Sequence, residues 1–452
     1  MKLKCLAASA LSIASAMLFA PTAFSGAIAE TAEEALKRAI PQGNPAQVAE
    51  ALETGVELNQ PLPDGSLMLA WAVETQNPDL VRQLLAEGAK PDVGDSHLSS
   101  FSPLIVACQR GEPSIVMALL DAGAKVERST ADGVSPLALC AGHSDVQTVE
   151  RLLAKGASAD AVDDTGQTPL MWAAANARLD NAKHLIREGA DINRVTHKGF
   201  SPLFFALRSG NPEMAELILD AGGDAEHRGP GDTTAIQMAM YQKQFRVADR
   251  LLSDETDLAA YDRNGDQLLH AAIKNDQLSL VAHLLAKGAN PNALTGESKV
   301  VWRYEVNFTS RPYVSYARSP LLLAAEHSSA AMMRALIEAG ADVDFVAEDG
   351  TNVVLAAAQN NPEALGFALT LVPDPNVTNQ YGQTPLHLLM GYSNTLTNKQ
   401  TGELFKQLAS RGARTDIEDR WGQTPANMAN DEQFRARAEF AEIFQTPKKV
   451  EL

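Results

Sequence analysis

The dipeptides Ser102-Pro103, Ser135-Pro136, Thr168-Pro169 and Ser201-Pro202 lie 33 residues apart, and Thr234 and Gln267 hold the same register without the proline. A fixed period of this length means one supersecondary unit copied in series, so the core is a line of stacked units rather than a sphere. Twenty-one residues after most of these anchors a glycine opens "GA" or "GG", at Gly123, Gly156, Gly189, Gly222 and Gly288. The register extends back to Glu34 (with Gly55) and Leu67 (with Gly88) and forward to Ser319 (with Gly340), Asn352, Thr384 and Thr424, which predicts eleven or twelve units.

Each unit has a local logic. The Ser or Thr caps a helix N-terminus by accepting from free backbone amides, and the proline after it supplies a preset φ where its missing N–H costs nothing. In "SPLFFALRSGNPEMAELILDAGG" (201–223) the first helix stops at Ser209-Gly210 and a second starts at Asn211-Pro212 with the same device. That second helix carries Met214, Leu217, Ile218 and Leu219 as an apolar stripe, and Gly222 suits a left-handed C-cap. A polar stretch such as "DINRVTHKG" (191–199) returns to the next anchor as a turn or hairpin finger.

These units resemble ankyrin repeats, whose period is 33 and whose signature is T-P-L-H-x-A. "TPLMWAAA" (168–175), "TPLHLLM" (384–390) and "LLHAAI" (268–273) match the first helix, and "HLIREGADIN", "ALIEAGADVD" and "HLLAKGANPN" match the second helix with its exit loop. The resemblance covers residues 30–445 and implies an all-α repeat solenoid of paired short helices and loop or hairpin fingers. The Thr234 unit departs from it, since "LLSDETDL" lacks the glycine. The Asn352 unit is one residue short and carries Pro373 in that place, and both terminal units diverge as caps would. The resemblance further implies protein or peptide binding through the concave side, made of inner-helix faces and hairpin fingertips, at positions one before each anchor and seven or eight after it. Those positions hold Phe101, Gln109, Arg110, His143, Asn176, Phe200, Arg208, Tyr241, Lys274, Glu326 and His327.

Between the Gln267 and Ser319 anchors the spacing is 52, so 19 residues have been added. In "LTGESKVVWRYEVNFTSRPYVSYAR" (294–318), Trp302, Tyr304, Val306 and Phe308 alternate with polar residues at strand period, and Tyr313 and Tyr316 follow Pro312 on a return arm. We expect an elongated β-hairpin finger there. An isolated two-stranded hairpin is marginal in water, so its apolar face must cover something: this protein's own groove, or a partner gripped by the aromatic rings. Seven more residues around Gly391 to Gly402 lengthen a helix–helix turn, read as a surface loop, and 446–452 form a tail.

Residues 1–29 read as a cleaved secretory signal. Lys2 and Lys4 precede the apolar run Leu6 to Ala20, and Ala27 and Ala29 suit cleavage before Glu30, which places the mature protein in the periplasm or outside the cell. Losing those two lysines moves the formal charge from −18 to −20, and the chain offers no Lys/Arg cluster, so nucleic acid is an unsuitable partner. No later segment reads as a membrane span, and a monomer is expected. The mature chain keeps Cys108 and Cys140, in consecutive units where the family has alanine. An oxidising compartment permits a disulfide between them, whereas stacked helices can hold their Cα atoms beyond the ~7 Å bridging limit and leave two buried thiols. His270 and His387 hold the repeat's own histidine position, where a structural hydrogen bond is the default. No metal spacing, nucleophile motif or phosphate loop occurs, and neither catalytic residues nor a cofactor are expected. The function this predicts is a non-catalytic binding scaffold. Its alternatives are a small-molecule or enzymatic role with the hairpin closing over the groove, or an exported effector.

Overall fold

A computed structural model describes residues 32–43, 45–53, 57–60, 66–92, 102–297, 316–358, 362–392, 396–431 and 434–445. The chain divides into two compact units, residues 1–131 and 132–452. In the first, the helix pairs are Ala32–Ala39 with Pro45–Leu52, Met68–Glu74 with Pro78–Ala86, and Pro103–Arg110 with Pro113–Asp121. The second opens with Pro136–His143 and Val146–Ala154 and repeats the pair to Pro425–Ala429, closing with Arg437–Phe440 and a π turn at Ala441–Gln445. No β-strand forms among the described residues; one isolated bridge joins Gly229 and Thr233. The fold is an all-α repeat solenoid of short paired helices.

The local chemistry explains the helix starts. Ser135 Oγ accepts from the Ala138 amide at 3.1 Å, Thr168 Oγ1 from Met171 at 3.3 Å and Asn211 Oδ1 from Met214 at 3.0 Å. The Ser102 and Ser201 hydroxyls make no cap bond, so at these anchors the proline φ starts the helix without a side-chain acceptor. The helix ends follow from glycine. Gly156, Gly189, Gly222, Gly288 and Gly340 adopt φ between 86° and 96°, a left-handed conformation that side chains with a Cβ resist.

The core runs along the stacked pairs. Leu170, Leu203, Leu269 and Leu322 on first helices and Leu185, Ile218, Leu284 and Leu336 on second helices are almost wholly buried, each contributing about 1.5–3 kcal/mol of transfer free energy. On Pro212–Asp220 the buried face is Met214, Ala215 and Ile218, while Leu217 and Leu219 are only half-buried, because a 3.6-residue period turns them off the stacking face. At the second insertion, the spacing predicts a surface loop, but Asn398–Ser410 is a 13-residue helix that takes up its latter part. A reciprocal cap between Thr397 and Gln400 starts that helix early.

The fingers are tied to one another by backbone bonds, Asp164 N–H to Asp132 O, His197 to Thr165, Gln380 to Asp349 and Arg420 to Tyr381, at 2.9–3.0 Å. His270 and His387 join fingers from within: each Nδ1 accepts its anchor's amide at 3.1 Å, and Nε2 meets Ala293 O at 2.8 Å or Gln423 O at 3.0 Å. The described ends of the long insertion are paired likewise. Thr295 N–H donates to Arg318 O at 3.0 Å, and Arg318 N–H donates to Thr295 Oγ1 at 2.9 Å. The predicted strands of the insertion, with Trp302, Tyr304, Phe308 and Tyr313, lie outside the described residues, as does Phe101.

Candidate functional site

Within residues 132–452, first helices bring several of the predicted contact positions to one face. His143 meets Trp172 edge-on at 6.2 Å, Asn176 donates to the Trp172 carbonyl at 2.9 Å, and Arg178 donates to the carbonyls of Gly142 and His143 at 3.2 and 3.0 Å. Burial and then the Arg178 charge hold His143 below the usual imidazole range, so it is neutral at pH 7. Phe200 is half-buried, edge-on to Phe204 at 6.3 Å and to Phe205 at 6.2 Å, and Arg208 is half-buried one turn further along that helix.

Tyr241 and Lys274 border a groove of about 200 Å³, whose lining includes Gln237, Asp262, Asp266, Ala271 and Asn275. Helix ends Ala235–Tyr241 and Leu268–Lys274 supply one wall and the finger at 260–266 supplies the other. Lys274 Nζ bonds both Asp266 oxygens at 2.6 and 2.7 Å, and the Arg263 guanidinium lies 4.8 Å from the Tyr241 ring centroid. Burial first and Asp262 second push the Tyr241 phenol up to about 12, so it remains a hydroxyl donor at any physiological pH. Asp262 is preset by its own turn, accepting from Asn264 and Asp266 amides at 2.7 and 2.9 Å. The groove therefore presents an aromatic wall, a phenol hydroxyl bonded to Asp262 and a neutralised ion pair.

Further along, Arg318 donates through Nε to Glu326 at 3.0 Å and through Nη2 to Asp349 at 2.8 Å. Burial alone would lower the Arg318 pKa and raise that of Asp349, but their mutual bond, with Glu326, more than offsets it: Arg318 is raised and Asp349 lowered. Glu326 is thus engaged, and His327 is exposed beside it. Tyr316 meets the Tyr381 hydroxyl at 3.3 Å and accepts from Gln380 at 3.1 Å; Tyr381 stacks on exposed Trp421, with Arg420 4.2 Å from both ring centroids. In the first unit Gln109 and Arg110 are exposed, and Arg110 bonds Glu74. Cys108 and Cys140 are fully buried, each within its own unit. Among the described residues no group of three or more His, Cys, Asp or Glu could hold a metal ion, and no helix is long and apolar enough to cross a membrane.

Sequence reasoning passed over one row. The residue six before the anchor is apolar and exposed at Val162, Val195, Tyr261 and Val346, and Leu294 holds the same place in its unit. An apolar residue recurring inside an otherwise polar finger was the available signal.

A family model for ankyrin repeats in sets of three matches the chain over residues 36–130, 67–163, 104–196, 137–229 and 203–295, together more than half of its 452 residues. The chain is similar to transient receptor potential cation channel subfamily A member 1 of Homo sapiens, 29% identical over 160 residues, 34% of this chain and 13% of that protein. It is also similar to palmitoyltransferase Hip14 of Drosophila melanogaster, 33% identical over 96 residues, 21% of this chain and 15% of that protein. The match thus spans less than a sixth of either relative.

Proposed function

This chain belongs to the ankyrin-repeat family, and from that premise we propose that it is a non-catalytic scaffold that binds a protein or peptide outside the cytoplasm after residues 1–29 are removed. The contact is made by the inner-helix face around Trp172, Phe200, Arg208, Tyr241 and Lys274 and by the aromatic insertion 294–318. The observation that carries this reading is the face itself: half-buried aromatic rings beside Arg and Lys side chains, the residue types that dominate binding energy at protein interfaces. The Tyr241 groove by itself, about 200 Å³, is smaller than the roughly 300–1,000 Å³ of ligand pockets. Neither cation conduction nor palmitoyl transfer is carried over, because the similarity covers 13% and 15% of the proteins so named.

The test is capture of partners from the source cell's extracytoplasmic fraction by residues 30–452, beside the same capture with Trp172→Ala/Tyr241→Ala. A partner retained by the first and lost at least tenfold by the second supports the reading; equal retention by both overturns the site. A reporter active only after export, fused to residues 1–40, tests the compartment, and its silence overturns that half of the proposal.

A further inference from the structure

Seven large hydrophobic side chains are exposed among the described residues, and five of them occupy one place in the repeat: Val162 and Val195 at 43%, Tyr261 at 49%, Leu294 at 38% and Val346 at 55%. Scattered exposed hydrophobics need no explanation, but recurrence at a single register position does. The fingers that carry them are held side by side. His197 N–H donates to Thr165 O at 3.0 Å, Tyr261 Oη to Leu294 O at 3.0 Å, and Gly296 N–H to Gly265 O at 2.7 Å. Arg318 links the Leu294 finger to the Val346 finger through Thr295 and Asp349. Arg228, paired with Asp232 at 3.0 Å, is the single charged interruption between Val195 and Tyr261.

The charge around this stripe is one-sided. Finger segments 158–167, 191–200, 224–233, 254–266, 290–297, 342–351, 374–383 and 414–423 hold 21 of the chain's 56 acids but only 6 of its 38 Lys and Arg. An apolar row on an acidic bed is complementary to a basic segment that presents apolar side chains at matching intervals. Stacked helices set that interval at about 8–10 Å. Polyproline II repeats its face every three residues, or about 9 Å, whereas a β-strand repeats at about 6.6 Å and an α-helix at 5.4 Å.

We infer that the stripe is a docking track for an extended basic peptide segment in polyproline II conformation, with an apolar side chain at every third residue. This rests on the protein-binding reading above and names the chemistry of the partner. The probe is acetyl-(Leu-Lys-Pro)5-amide, compared on the unmodified protein with acetyl-(Leu-Glu-Pro)5-amide and with an isomer of the lysine peptide whose leucines form one block. The lysine peptide is expected to bind at least tenfold tighter than the glutamate peptide and at least fivefold tighter than the block isomer, with affinity falling as salt rises. Val195→Ser/Tyr261→Ser/Val346→Ser should lower that affinity at least tenfold. Equal binding of the isomers overturns the spacing argument and with it the proposal, and needs no variant to fold. Equal binding by a triple variant with an unchanged melting curve overturns it as well. The Trp172 and Tyr241 face is intact in that variant, so a partner still captured there while the peptides fail sinks this inference alone.

Discussion

The side-chain amide of Asn292 donates to the Gly340 carbonyl at 2.9 Å across 48 residues, and its Oδ1 accepts from the Asp342 amide at 2.7 Å. Asn193 makes the same clasp to Gly222 at 3.1 Å and Asp224 at 2.8 Å across 29 residues. The difference between 48 and 29 is the 19 added residues, so the exit loops on either side of the insertion meet as ordinary neighbours. Asn292→Ala removes both bonds at an exposed site where water replaces them in part. It should cost about 1–2 kcal/mol in urea unfolding, at about 1 kcal/mol per hydrogen bond. No measurable loss would show the clasp to be incidental.

Because that clasp and the Thr295–Arg318 pair lie at the root, replacing residues 298–315 by Gly-Ser should leave the protein folded, with a melting temperature within a few degrees of the parent. A repeat stack is stabilised by unit and neighbour terms, and this replacement removes neither. Partner affinity should fall at least tenfold if the ring-bearing segment is a grip. Unchanged affinity would assign the segment to covering its own solenoid.

Arg318→Met should be the most damaging of the single changes at the root. It strands Glu326 and Asp349, whose side chains are 13% and 11% exposed, and losing one partner of such an ion pair costs about 3–5 kcal/mol. Arg318→Met/Asp349→Leu should recover part of that, since one stranded charge is gone. Thermal unfolding of the pair decides it: a double variant no more stable than the single contradicts the ion-pair account.

Stability should fall on mild acidification. Burial, the largest influence, holds His270 below its ordinary 6.5, and the Gln267 N–H donates to its Nδ1, which a second proton would block. A folded pKa below the unfolded one means the unfolded chain takes up the proton first as pH falls. The contribution is therefore complete above 6.5 and is lost as pH drops through the folded value. Melting temperature should be flat from about pH 8 to 7 and decline below about 6.5, with a shallower decline in His270→Gln; equal slopes would refute the assignment.

Mature protein denatured without reductant should leave Cys108 and Cys140 unalkylated, and reduction should expose both, read as added mass. Alkylation of both before reduction would establish buried thiols instead.

Local patterns along the chain were enough to specify the repeat. Ser or Thr before proline, the glycine 21 residues later and the histidine at His270 and His387 act over a few residues, so their spacing reports the helix starts, the left-handed ends and the finger links directly. The candidate face was legible for the same reason, as positions counted from each anchor. Relations between residues that share no local pattern emerged with the packed fold alone. Arg318, Glu326 and Asp349 form one ion-pair network, and Tyr316 reaches Tyr381 across 65 residues. Whether Leu217 stacks or turns outward, and whether Val195 is covered or exposed, was equally closed to reading. Burial is fixed by which neighbouring unit lies against a side chain and at what angle, and a residue's own letter carries no record of that neighbour.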